Sequence, residues 1–122
     1  MRGAAAGAVA AAAWGVCEPL WQRALGTSYS DVGVLRPFVP RPRAVHVLNG
    51  ALFGLAYDEL RARTGRDGPG FAIAVALAEN TSLWPLVALL DRKHATSIRA
   101  FACASVGHAF FGALLGVLAA KR

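Results

Sequence analysis

The stretch AVALAENTSLWPLVALL, residues 74–90, sets one carboxylate, one amide and two hydroxyls (Glu79, Asn80, Thr81 and Ser82) inside an otherwise apolar run. The run reaches back to Phe71, and across residues 71–90 Glu79 is the only formal charge. That is the length needed to cross a hydrocarbon core of roughly 30 Å. An ionisable group at the centre of such a helix is costly in lipid and marks a path, a relay or a ligand site by default.

The same alternation of apolar run and charge cluster recurs along the chain. Charges gather at Arg2, at Arg23, at 36–43, at 58–67, at 91–99 and at Lys121 and Arg122, leaving apolar windows at 3–22, 44–60, 71–90 and 100–120. A chain of 122 residues that is 56% hydrophobic, with a mean hydropathy of +0.44, is too apolar for an ordinary soluble domain of this size. The fold expected is therefore all-α: one membrane domain over 1–122, a polytopic four-transmembrane-helix bundle lying multi-pass in the cell membrane. The second window is the weakest, because Arg43 and Asp58 enclose only 14 residues, about 21 Å of helix. Asp58 and Glu59 then belong at an interface. A soluble bundle is one alternative. A cleavable signal is another, since MRGAAAGAVAAAAWGVC has a basic start and small residues.

The net charge of +6 does not point to nucleic acid. Its basic residues flank the apolar windows, as snorkelling side chains do at bilayer edges, instead of forming one stripe. Cys17 and Cys103 fall in apolar windows and read as buried free thiols.

Small residues four apart allow helices to approach closely in lipid. GAAAG places Gly3 and Gly7 on one stripe that continues through Ala11 and Gly15; GALFG gives Gly50 and Gly54, and GALLG gives Gly112 and Gly116. Pro19 and Pro85 fall inside helical windows, where each removes a backbone donor. For Pro19 a second reading stays open, in which PLWQRAL starts a short helix of its own. The connection 26–43, GTSYSDVGVLRPFVPRPR, reads as an interfacial loop with Tyr29 at headgroup level.

Each window carries an ionisable group: Glu18, His46, Glu79 and His108. With helices alternating in direction, Glu79 and His108 come within about 3 Å of the midplane, and Glu18 and His46 about 8 to 9 Å to one side of it. His46, Asn49, Phe53 and Tyr57 share one helical stripe, and Trp14, Glu18 and Trp21 another. The candidate polar pocket is Glu18, His46, Asn49, Tyr57, Glu79, Asn80 and His108, with Asp91 and His94 at its rim. These groups serve equally well as packing glue, through interhelical hydrogen bonds. A metal site is the sharpest enzyme reading, since Cys17, Glu18, His46 and Cys103 fall at similar depth, yet no two donors show a recognised ligand spacing. No particular metal, cofactor or catalytic residue is assigned, and motifs for phosphate loops or nucleophile elbows are absent.

The stretches EPLWQRALGTSYSDVGVL, HVLNGALFGLAYDELRAR and AENTSLWPLVALLDRKH resemble small uncharacterised four-helix integral membrane proteins of high-GC bacteria. That resemblance implies the fold and no established activity. The chain is also similar in length to small multidrug resistance transporters, whose first-helix carboxylate Glu18 imitates, but the surrounding pattern departs from theirs. LNGALFG loosely echoes the Asn/Gly-rich signature of fluoride channels, whose third-helix break is missing here.

The function expected is a proton-coupled transporter or permeation module centred on Glu79. The alternatives are a membrane-embedded metal-binding protein or enzyme, and an accessory subunit docked on a larger membrane partner. Basic residues number six on the side of both termini and seven on the other. That near balance gives the positive-inside rule little to act on and leaves room for a homodimer of oppositely inserted copies.

Overall fold

The computed structural model describes residues 2–120. The charged pair Lys121 and Arg122, counted above with the side of the termini, lies outside the described residues. The described chain is all-helical: α1 (Arg2–Leu25), α2 (Asp31–Leu35), α3 (Pro42–Thr64), α4 (Pro69–Leu90) and α5 (Ile98–Ala119). Three of these, α1, α4 and α5, are long and apolar enough to cross a membrane. α3 has the length, with 23 residues, but it carries the charges of both flanking clusters.

Local chemistry explains the boundaries. Pro42 and Pro69 open α3 and α4 at the first turn, where a missing N–H costs nothing. The Ser97 hydroxyl accepts from the Ala100 amide to cap α5. α3 ends at Gly65, whose φ of 68° is left-handed and suits glycine. Pro19 and Pro85 lie within continuous helices, so PLWQRAL continues α1 and does not start a separate helix.

The four long helices run antiparallel in the lateral order α3, α1, α5, α4, with α2 on α3. One end of the layer, here end A, holds Gly3, Gly68 and Ala119. The opposite end, end B, holds Leu25, Arg41 and Ser97. The glycine stripes set the spacing. A Cβ on Gly54 would meet the Gly3 carbonyl oxygen, and one on Gly7 would meet that of Gly50, so α1 and α3 touch backbone to backbone. A Cβ on Gly112 would lie 2.7 Å from the Ile73 Cα, so α5 and α4 also approach closely, though less so than α1 and α3. Gly107 leaves room for the Trp14 indole between α5 and α1. The α1 stripe stops short of its expected length, for nothing lies within 4 Å of a Cβ built on Gly15.

End A is tied by Arg61. Its guanidinium pairs with Asp58, bonds both Asp67 carboxylate oxygens at 3.0 Å and donates to the Ala119 carbonyl at 2.7 Å. Asp58 also accepts from the Gly3 amide at 2.8 Å, so one network joins α1, α3, α5 and the turn before α4. Arg61 is only 8% exposed, whereas the charge pattern places it among loop charges.

Candidate functional site

α3 and α4 sit at opposite ends of the lateral order, and the gap between them is where the polar residues meet. Near end A the gap is narrow: the Tyr57 and Phe71 rings are 5.9 Å apart, and the Tyr57 hydroxyl donates to the Gly68 carbonyl at 3.2 Å. Farther toward end B it opens into a cavity of about 50 Å³, lined by His46, Asn49 and Phe53 of α3, Glu79 of α4, His108 and Phe111 of α5, Trp14 of α1, and Asp31 of α2. The Glu79 side chain is 30% exposed and Asn49 is exposed, so the cavity opens sideways between α3 and α4.

Trp14 organises the two histidines. Its ring stands edge-on to His46 and to His108, with centroids 4.8 Å apart in each case. The indole N–H donates to the Glu18 carboxylate at 3.0 Å, which fixes the ring and gives Glu18 a partner. Ser30 and the Asp31 backbone lie on the other side of that carboxylate. His108 Nδ1 lies 2.8 Å from the Ala104 carbonyl. A carbonyl only accepts, so Nδ1 carries the hydrogen and Nε2 is the free lone pair of the neutral ring. Nε2 faces Glu79, with 4.0 Å between it and the nearer carboxylate oxygen.

That separation exceeds a direct hydrogen bond, and a water set to one side of the pair, not between the two atoms, is within reach of both. A cavity of about 50 Å³ has room for one or two waters. It is far below the 300 to 1,000 Å³ typical of sites for drug-sized molecules.

Of the expected pocket residues, His46, Asn49, Glu79 and His108 line this cavity. Glu18 lies one step away, in a groove of about 690 Å³ between α1 and α3 that also borders His46 and reaches end B. Tyr57 shares its stripe but falls at the end A closure. Asn80 turns to α5, donating to the Ser105 hydroxyl at 3.2 Å, and acts as a clasp between helices. The rim pair Asp91 and His94 are 2.7 Å apart, and His94 Nε2 reaches the Ser28 hydroxyl at 3.2 Å, holding the segment before α2 against the turn after α4.

Two features were not expected from the sequence. Asp31 lines the cavity although it belongs to the long connection. Tyr29, read as a headgroup-level residue, is 1% exposed. Its hydroxyl donates to Asp31 at 2.7 Å, its carbonyl accepts from the Gln22 amide at 2.7 Å, and its ring packs on Trp84 and His94. Burial, then the neighbouring Asp31, pushes the Tyr29 phenol above its ordinary range. The signal lay in Thr27, Ser30 and Asp31, short polar side chains suited to a tight turn and a helix cap. The Thr27 hydroxyl accepts from the Tyr29 amide and the Ser30 hydroxyl from that of Gly33.

Of the donors proposed for a metal, Cys103 has its sulfur 3.7 Å from the Tyr29 carbonyl and Glu18 accepts from the Trp14 indole. Among the described residues no group of three or more His, Cys, Asp or Glu side chains is arranged to hold a metal ion. No protein-family model, curated protein or solved structure matches the chain, so what the cleft does rests on its own chemistry.

Proposed function

We propose that this chain is a four-span membrane protein of the cell membrane whose α3–α4 cleft exchanges protons through Glu79 and His108. The observation that carries this reading is the tautomer of His108: Nδ1 is committed to a carbonyl, so Nε2 can only take up a proton from the Glu79 side or return one to it. Glu79 and His108 supply an acid and a base of unlike kind, 4.0 Å apart, in helices otherwise made for lipid.

The shape supports a one-sided path. The groove holding Glu18 runs from end B to His46, which also walls the cavity. On the other side Tyr57, Phe71 and the Arg61 network close end A. A proton carrier open to one side and shut on the other has the asymmetry that alternating access requires. The small cavity favours proton or water movement over passage of a bulky solute. α3 counts as the fourth span because it docks on α1 through paired glycines, and the Arg61 charge at its end is paired with Asp58 and Asp67. Exposed Leu83, Leu86 and Leu89 on α4 suit contact with acyl chains. A homodimer covering the open side of the cleft is consistent with the partial exposure of Glu79, a group that lipid solvates poorly.

The test is proton flux in vesicles containing the purified protein and an internal pH-sensitive dye. Under an imposed gradient the wild type should dissipate it and Glu79→Gln should not, with both variants equally helical and equally incorporated. Equal flux in the two removes Glu79 from the path.

A further inference from the structure

Arg36, Arg41 and Arg43 border one hollow of about 480 Å³ at end B, together with Val32, Pro42 and Ala44. All three are exposed. None of their side chains has a hydrogen-bond or ion-pair partner among the described residues, in contrast to Arg61 and Arg63, which are paired with carboxylates. Three guanidinium groups confined to one hollow repel one another, and an anion from outside the fold relieves this.

The hollow does not stand alone. Arg36, Arg43 and Val32 also line the groove of about 690 Å³ between α1 and α3. That groove changes character with depth. Toward end B it is polar, with Gln22, Ser28 and Ser30; Glu18 and His46, both buried, border it on the side of the bundle core, and its remaining wall is Ala11, Ala12, Gly15 and Val16. From Gln22 to Ala11 is about 16 Å along α1 at helical rise. Val16 is 80% exposed and Gly15 borders open space, so the inner part is accessible from the side. With Arg36 and Arg43 on one wall and Gly15 and Val16 open to the side, the groove sets cationic groups beside an apolar, laterally accessible face, as an amphiphile at the edge of one leaflet requires.

We infer that this groove binds a lipid bearing an anionic phosphate headgroup, with the phosphate among Arg36, Arg41 and Arg43 and an acyl chain along Gly15 and Val16. Guanidinium groups hold phosphate by forked hydrogen bonds as well as by charge. The site stands on the arginine hollow and the groove and does not depend on proton exchange at Glu79.

The experiment is titration of the purified full-length protein in neutral detergent with dioleoyl phosphatidylglycerol, dioleoyl phosphatidylcholine and water-soluble glycerol 3-phosphate, read by native mass spectrometry. Phosphatidylglycerol should bind, and glycerol 3-phosphate should neither bind nor compete. The pair Arg36→Gln and Arg43→Gln should weaken phosphatidylglycerol by about 30-fold, at the usual strength of a surface arginine toward anionic lipid. Gly15→Phe fills the groove where no atom opposes a new side chain, and should weaken the lipid at least tenfold. That variant decides the matter if the arginine pair misfolds. Equal binding of phosphatidylcholine overturns the inference. So does wild-type affinity in an Arg36→Lys and Arg43→Lys pair, which would reduce the effect to surface charge. Competition by glycerol 3-phosphate together with an unaffected Gly15→Phe variant would mean a soluble phosphate and no lipid site.

Discussion

Arg61 in α3 donates to the main-chain carbonyl of Ala119 in α5 at 2.7 Å, across 58 residues of sequence. The carbonyl is among those a helix leaves open at its C-terminus; the same guanidinium nitrogen also bonds Asp67, and the second terminal nitrogen pairs with Asp58. One side chain thereby closes the end of the bundle that carries both Gly3 and Ala119.

Replacing Arg61 by Gln should destabilise the fold by about 3 to 5 kcal/mol, the usual cost of removing one partner from a buried ionic network. Arg61→Lys should recover part of this, since an ammonium cannot fork between a carboxylate and a carbonyl in the same way. Reversible unfolding in mixed micelles measures both. A Gln variant within about 0.5 kcal/mol of wild type would show that glycine contacts alone hold end A.

The glycine stripes give a paired test. Gly7→Ala and Gly54→Ala each push a methyl onto a facing backbone carbonyl and should cost about 1 to 3 kcal/mol. Gly15→Ala meets open space and should be neutral or stabilising. The same unfolding assay ranks them, and equal effects at Gly15 and Gly54 would contradict the α1–α3 contact.

These two sites also show what was legible beforehand. Gly3, Gly7, Gly50 and Gly54 could be read because close approach in lipid demands small residues at spacing four, a local property. Glu79 and His108 could be brought to one depth by counting helical rise, whereas the same count set His46 about 8 to 9 Å to one side of the midplane. Arg61 was not legible: a charge near a helix end looks the same whether it faces water or a facing helix, and its partner Ala119 O is a backbone atom with no sequence signature. Asp31 and Tyr29 were missed for a related reason. Where a connection folds inward, its contacts depend on the gap left by the helices, here the space beside Trp84 and Cys103, and not on its own composition.

Tyr29 supplies a prediction about pH. Its phenol is favoured in the neutral form by burial and by Asp31, so its folded-state pKa lies above the unfolded value of 10.0. The stability it contributes is then complete below about pH 10 and is lost as pH rises beyond that. Tyr29→Phe should be less stable than wild type by about 1 to 2 kcal/mol at pH 7, and the gap should narrow from pH 10 upward. Unfolding measured from pH 7 to 11 decides it; a constant gap would mean that the hydroxyl is not buried against Asp31.

Orientation follows from Arg61 as well. With that guanidinium inside the protein and already paired, the basic residues left among the described ones number three toward end A (Arg2, Arg63 and Arg66) against seven toward end B. The positive-inside rule then favours end B in the cytoplasm. A reporter active only in the cytoplasm should give signal when inserted after Pro40 and little when inserted after Arg66. The reverse pattern, or equal signal, would contradict this.

The lateral order α3, α1, α5, α4 bears on synthesis. α1 leaves the ribosome before either of its neighbours and has its glycine face waiting when α3, the most highly charged of the long helices, follows. In the proposed four-span arrangement α3 enters the bilayer against a partner already there instead of alone. α4 has no such host: its main partner, α5, is made after it, so it must rely on its own apolarity, and its sequence has the single formal charge of Glu79 to show for it. In that arrangement the difference in hydrophobicity between α3 and α4 follows from what each finds on arrival.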